Sequence, residues 1–542
     1  MSVTKTNQWI FSAVVPLCIA GCTVGPDYKP PAPNMPAHFS ATQPASTQPA
    51  DGSANMERWW ESFNDPMLDS LIGRAVRSNL DLRIAQSRVR EARSQLAIQQ
   101  ADIYPRLNAD GSYAKERLSK EGFFIPGVGG AGNGTLSGNG TPPNGGGTLN
   151  HASPSIHRDA APTGGGSSSG LASAFTKTEI QTFQGGFDAS WEVDVFGGVR
   201  RSVEAARADE QAAIESRRDT MISLLAEVAR NYIDYRGLQR ELDIARQNIQ
   251  SQQDTVDLTR SRFQAGLATD LDVARAEAQV ATTRAAVPQL NTSLAQAAHR
   301  IAVLLGQEPT ALEVELSREA PIPSGPPMVP VGLPSELLRR RPDIRRAERE
   351  LAAANARVGA ATADLFPRFS LTGSLGLASG AFKGLGRLES VYYSIGPSVS
   401  WPIFDAGKIR ANIQVQNERE NQAANEYTAA VLTSLEDVEN ALVGYSNERA
   451  RWMELKKAVD ANRRAVDLAS QLYQKGLTDF LNVLDAQRNL FASQDELVQS
   501  ERMVSTDVVA LYKVLGGGWE TMEASRGAEL GPDEQAVTPA NR

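Results

Sequence analysis

The chain has 542 residues, a formal net charge of −8 and 6% aromatic residues. That length suits several domains or one elongated domain, the acidic balance argues against a nucleic-acid surface, and the scarcity of rings argues against one large packed globule. The two cysteines, Cys18 and Cys22, lie close together near the N-terminus, so no internal disulfide framework is available.

The first element is a signal peptide over residues 1–21. Lys5 supplies a weak positive region, and the apolar run Trp9–Ala20 is too short to span a bilayer as a helix. It ends in Ile19-Ala20-Gly21-Cys22, which resembles a bacterial lipobox, so Cys22 is expected to carry a diacylglycerol and an N-acyl chain. Thr23 stands where an inner-membrane retention signal would usually place Asp, which favours outer-membrane sorting. Cys18 falls in the removed part. A single lipid chain binds a membrane only marginally, so a second membrane element is expected. It is not a helix, because the mature chain has no run of 18 or more apolar residues.

Four segments alternate with period two. Leu107, Ala109 and Tyr113 alternate with Arg106, Asn108, Asp110 and Ser112. Phe183, Phe187, Trp191 and Val193 alternate with Gln184, Asp188, Ser190 and Glu192. Phe369, Leu371, Leu375 and Leu377 form a third set, and Val391, Tyr393, Ile395, Val399 and Trp401 a fourth. The predicted strands cover about 105–114, 181–196, 367–378 and 391–404. Strands of about ten residues with one apolar and one polar face suit a membrane barrel; a soluble sheet lying on a core gives the same pattern. Between the first two strands lies a Gly/Asn/Ser/Pro-rich insert, about 120–175, whose composition cannot bury a core. His151 and His157 within it make a poor metal site.

Helical seams follow. Leu225, Val228, Tyr232, Tyr235, Leu242, Ala245, Ile249 and Val256 recur at steps of mostly three and four, as do Val431, Leu435, Val438, Leu442, Tyr445, Trp452, Val459 and Val466. The segments 199–261 and 409–474 are each roughly 95–100 Å long at about 1.5 Å per residue. Each meets a glycine, Gly266 or Gly476, and then a second helix, Asp270–Leu305 or Phe480–Leu515. The glycines supply the positive φ of a tight reversal, so the hairpins run 199–305 and 408–515. The proline-rich stretch Pro309–Pro334 is expected to stop Ile301–Leu305 from continuing into Ser335.

The chain contains this unit twice. Ala101-Asp-Ile-Tyr-Pro-Arg-Leu107 returns 262 residues later as Ala363-Asp-Leu-Phe-Pro-Arg-Phe369, and Phe263-Gln-Ala-Gly-Leu267 returns 210 later as Tyr473-Gln-Lys-Gly-Leu477. The difference of 52 is the insert. Four strands cannot close alone, and open edges are not tolerated in lipid. Two chains would give about eight strands, a barrel filled by its own side chains; three would give about twelve and leave a lumen.

With Cys22-Thr-Val-Gly-Pro-Asp-Tyr28, Trp59-Trp60, Phe63-Asn-Asp-Pro-Met-Leu68 and Leu515-Gly-Gly-Gly-Trp519, these features resemble the TolC-like outer-membrane efflux family, nearest its lipoprotein branch serving resistance-nodulation-division pumps. The resemblance implies an α+β membrane protein: a homotrimer with a twelve-stranded β-barrel, four strands per chain, continuous with a periplasmic α-helical coiled-coil barrel. It divides the chain into an acylated N-terminal and equatorial segment (22–75), repeat 1 (76–308), an inter-repeat equatorial linker (309–335), repeat 2 (336–516) and a C-terminal tail (517–542). The insert becomes an extracellular loop. The implied partners are outer-membrane lipid, a periplasmic membrane-fusion adaptor and an inner-membrane pump; no nucleic acid and no further cofactor are expected.

The resemblance also implies site residues. Ala265, Gly266 and Leu267 with Lys475, Gly476 and Leu477 match the adaptor-docking tip. Leu481 and Asp485 match the periplasmic gate and, four apart, share a helix face. Three copies of Asp485 would form an anionic ring. Asp272 and Tyr473 match further gate positions, although the basic partner's place is taken by Thr478. No enzyme is expected: there is no phosphate loop and no convergent nucleophile and base. The function implied is a passive exit duct for drugs or other small solutes; a type I secretion duct and a non-conducting coiled-coil lipoprotein are the alternatives.

Overall fold

The computed structural model describes residues 23–33, 35–40, 56–117, 179–326 and 334–520. Cys22, the expected signal peptide (1–21), the insert at about 120–175 and the end of the tail lie outside them. The described chain divides into a helical unit and a strand unit, the latter spanning Tyr104–Val193 and Phe369–Val399.

The helical unit contains α1 (Pro66–Ser78), α2 (Leu80–Ala101), α3 (Gly198–Gln264), α4 (Asp270–Leu304), the short α5 (Glu313–Leu316), α6 (Pro334–Arg340), α7 (Pro342–Ala363), α8 (Lys408–Gln474) and α9 (Phe480–Val514). The strand unit is one four-stranded sheet: β1 (Arg106–Arg117), β2 (Glu179–Val193), β3 (Arg368–Ser379) and β4 (Val391–Ser400), in that order across the sheet. Both sequence offsets hold element by element. α2 and β1 return as α7 and β3 after 262 residues, and α3 and α4 return as α8 and α9 after 210. The fourth strand stops at Ser400, short of the expected 404, before Pro402.

Local chemistry sets the helix starts. Asp65 caps α1, its Oδ1 accepting from the Met67 and Leu68 amides at 2.8 and 3.1 Å, with Pro66 pre-set for the first helical position. Its other oxygen accepts from the Tyr232 hydroxyl at 2.9 Å, which ties α1 to α3. The Phe63–Leu68 motif is therefore a cap and an anchor together. Around it lies the main core, with Trp59 stacked on Tyr512 at 5.3 Å and Leu68, Leu71, Leu225, Ile233, Ile301 and Leu312 excluded from solvent. Buried Arg236 of α3 donates to the carbonyls of Leu316 and Arg318, at 3.4 and 2.7 Å, and so fastens the linker.

Each hairpin closes the same way. Gly306 and Gly516 take φ of +67° and +76°; a Cβ on Gly306 would stand 2.6 Å from Ser78 O, and one on Gly516 3.1 Å from Arg340 O. Beside these approaches, Asn79 Nδ2 donates to Leu304 O at 2.8 Å, and Arg341 NH1 donates to Val514 O at 3.1 Å. Both positions and both carbonyls are repeat equivalents, but one closure uses a neutral amide and the other a cation.

Three expected boundaries shift. α4 stops at the Gly306 reversal, with the Gln307 amide donating to Ala302 O at 2.9 Å, so the reversal ends the helix before Pro309 is reached. α1 runs across the 75/76 division, and α6 begins at Pro334 and crosses the 335/336 division. In both places a proline at or near the first helical turn, Pro66 or Pro334, sets the start.

Candidate functional site

In the sheet, Leu107 pairs with Ala189, Ala109 with Phe187 and Tyr113 with Phe183; Phe187 pairs with Leu375 and Trp191 with Leu371. Odd positions meet odd positions throughout, so the apolar sets of β1, β2 and β3 share one face and the polar sets the other. Nothing among the described residues covers these side chains: Leu107 is 70% exposed and Leu375 57%, and on β4 Tyr393 is 79% exposed. The polar face carries Arg106, Asn108, Asp188, Ser190, Thr372 and Ser374. There Tyr392 lies over the Gly186–Gly376 pair, its hydroxyl accepting from Gln184 Nε2 at 2.7 Å. β1 and β4 are the outer strands and have no further partner strand among the described residues.

The two hairpin turns are built alike. At the end of α3 the Gly266 amide donates to Phe263 O at 2.9 Å and the Leu267 amide to Arg262 O at 2.8 Å; at the end of α8 the Gly476 amide donates to Tyr473 O and the Leu477 amide to Leu472 O, both at 2.9 Å. Both glycines have φ of +75°. These are paired reverse bonds that close a helix end through a left-handed residue. Each turn then presents a leucine to solvent, Leu267 at 66% exposure and Leu477 at 71%, flanked by exposed Ala265 and Lys475. The turns lie one long helix, roughly 100 Å at about 1.5 Å per residue, from the starts of α3 and α8.

Of the expected gate positions, Leu481 and Asp485 are both exposed and share one face of α9, with Asp485 Oδ2 accepting from Asn489 Nδ2 at 3.4 Å. The other two have local roles within the chain. Asp272 is part of a capping box: its Oδ2 accepts from the Thr269 amide and hydroxyl at 3.1 and 2.7 Å, while its own amide donates to Thr269 Oγ1. Thr478 instead accepts from Asn482 Nδ2 at 2.7 Å. Tyr473 is 4% exposed and packs with Val256, Val280, Phe480 and Leu484. A core position on the helical seam accounts for this burial. Sequence reasoning passed over Arg262, whose guanidinium carbon lies 4.7 Å from the centre of the Tyr473 ring. A basic residue in the last turn of a helix was the available signal.

The outer membrane efflux protein family matches residues 158–307 and 333–517. The chain belongs to the outer membrane efflux protein family. Within it, nodulation protein T of Rhizobium leguminosarum bv. trifolii is 31% identical over 96% of this chain and 98% of its own length. The pyoverdine export outer membrane protein OpmQ of Pseudomonas aeruginosa is 32% identical, also over 96% and 98%. Among solved structures, the outer-membrane channel OprN is 35% identical, with a TM-score of 0.78 over 92% of this chain and all of the other. The CmeC outer membrane channel of Campylobacter jejuni shares the fold at 17% identity, with a TM-score of 0.78 over 94% and 100% of the two chains. The α+β fold is thus that of the efflux family's outer-membrane channels, and this family member is an outer-membrane transport component.

Proposed function

We propose that this efflux protein is the exit duct of a tripartite efflux system. It would work as a homotrimer with a periplasmic membrane-fusion adaptor and an inner-membrane pump of the resistance-nodulation-division type. The observation that carries the reading is the sheet: one apolar face, one polar face and two outer strands without neighbours. In lipid such a sheet needs closure, and three copies close it around a polar lumen with the apolar face turned outward. Exposed Leu432, Val443, Met453, Leu468 and Leu472 on α8 offer further apolar surface to neighbouring copies.

In this reading Cys22 carries the lipid anchor, the Gly266-Leu267 and Gly476-Leu477 turns dock the adaptor, and Leu481 and Asp485 line the narrowest aperture. The duct itself is passive and catalyses no reaction; the pump selects the cargo. Relatives named for pyoverdine export and for toluene efflux point to small organic solutes. Native mass spectrometry in mild detergent tests the trimer, and planar-bilayer recording of the same sample tests conduction. A monomer, or a trimer without conductance, would overturn the proposal. Gly266→Trp and Gly476→Trp should leave trimers intact and stop export; normal export in both removes the docking assignment.

A further inference from the structure

The apolar face of the sheet has a charged border at one end only. On β2 its apolar side chains run from Phe183 to Val193. That run is roughly 33 Å long at about 3.3 Å per residue, and at a strand tilt of about 40° it covers roughly the 25 Å height of a membrane-facing band. Beyond Tyr113 and Phe183 the same face changes character: its next positions are Lys115 and Arg117 on β1 and Gln181 and Glu179 on β2. Lys115, Arg117 and Glu179 are the charged positions of that face among the described strand residues. Helices join the strands at the opposite ends, near Arg106, Val193, Arg368 and Ser400.

Aromatic rings mark the border. Tyr113 and Phe183 lie 4.7 Å apart, and Phe382, from the loop between β3 and β4, meets Phe183 edge-on at 5.8 Å. That loop, residues 380–390, is folded on itself. The Gly384 amide donates to Ala381 O at 2.8 Å, the Arg387 amide to Gly384 O at 3.1 Å and the Ser390 hydroxyl to Gly384 O at 2.7 Å. It still leaves Phe382 73% and Leu388 91% exposed, with exposed Lys383 and Arg387 beside them. A compact loop that displays two large apolar side chains marks a contact surface. The charge of the border is positive: Lys115, Arg117, Lys383 and Arg387 stand against Glu179, which pairs with Lys115 at 3.0 Å, and Glu389.

We propose that this rim docks the phosphate-bearing lipid headgroups of the outer leaflet. Phe382 and Leu388 enter the edge of the acyl chains, and Arg117, Lys383 and Arg387 face the phosphates. Rings followed by cations match the passage from hydrocarbon to an anionic headgroup layer. The proposal rests on the reading of the sheet as part of a membrane-spanning duct.

Native mass spectrometry of the full-length, detergent-solubilised protein tests it, by titration with lipid A and with lipid A stripped of its phosphates. The wild type should retain lipid A in preference to the stripped lipid. Lys383→Ser with Arg387→Ser should weaken retention on the order of 25-fold, about fivefold for each cation near an anionic surface. Lys383→Arg with Arg387→Lys keeps both charges and should retain lipid A as the wild type does. Arg463→Ser with Arg464→Ser, which takes the same charge from an exposed stretch of α8, should leave retention unchanged. Equal retention of the two lipids by the wild type, or equal loss in the two Ser double variants, would overturn the rim. Planar-bilayer recording separates this from the reading beneath it. A wild type that conducts but shows no preference for phosphate loses the rim and keeps the duct, whereas one that does not conduct loses the duct on which the rim rests.

Discussion

The closure of repeat 2 depends on one cation, and removing it should have a large effect on stability. Arg341 is 9% exposed and makes four polar contacts. Its Nε and NH2 reach the two Asp343 oxygens at 3.0 and 2.7 Å, NH2 reaches Asp437 at 3.0 Å, and NH1 reaches Val514 O at 3.1 Å. It therefore holds the start of α7, the middle of α8 and the end of α9 at one point. Breaking a buried ion pair by deleting one partner costs about 3–5 kcal/mol. Here the carboxylates left behind are 26% and 40% exposed, so water recovers part of that loss. The Val514 carbonyl and the packing of the arginine stem remain, and Arg341→Met should cost about 2–4 kcal/mol. Tryptophan fluorescence in detergent suits the measurement, because Trp519 donates to the neighbouring Arg340 carbonyl at 3.1 Å. Arg339→Met, at an exposed neighbour, is the control and should stay within about 0.5 kcal/mol. Equal unfolding midpoints for the two variants would refute the closure argument.

Four further outcomes are expected. Asn79→Ala removes the Leu304 contact and the α2 cap, and should lower the same midpoint by an amount equivalent to about 2–4 kcal/mol. Burial, with Glu448 nearby, pushes the Asp507 carboxyl up to about 6. The folded state then holds that proton more tightly than the unfolded chain does, so stability should fall as pH rises from about 4 to about 6, and Asp507→Asn should flatten that window and raise stability at pH 7. A Cβ on Gly376 would stand 2.7 Å from the Tyr392 hydroxyl and 2.8 Å from Gly185 O, so Gly376→Val should displace Tyr392 and reduce the yield of membrane-inserted protein relative to Gly111→Val, whose Cβ meets nothing within 4 Å. Asp485→Ala should weaken cation preference in single-channel reversal potentials; an unchanged preference removes the anionic ring.

The helices and strands were legible because their signals are periodic or local. Period two placed the strands and their shared face, and a glycine at each reversal placed four helix ends. What stayed hidden depends on partners far away in the chain. Nothing in the vicinity of Arg262 points to Tyr473, and alignment of the repeats sets it against a leucine. Asn79 and Arg341 fill one role with unlike chemistry, so likeness between the copies could not pair them. Thr269-Asp-Leu-Asp272 also carries a local capping pattern, a signal that needs no distant partner.

The closures beside Gly306 and Gly516 leave the molecule almost no tolerance for a change in helix length. α3 and α8 have 67 residues each, α4 and α9 have 35 each, and α2 and α7 have 22 each. One inserted residue turns the seam beyond it by about 100° and moves the next contact by about 1.5 Å. Approaches that a single methyl group would already violate cannot absorb that shift. Inheritable length changes in the helices should therefore come as matched insertions in the outgoing and returning arms, near whole heptads, because about seven residues restore the seam. The 52-residue difference between the two offsets falls wholly between β1 and β2, outside the helical arms. The chain keeps the residue count of its hairpins equal in both copies and differs in length between its first two strands.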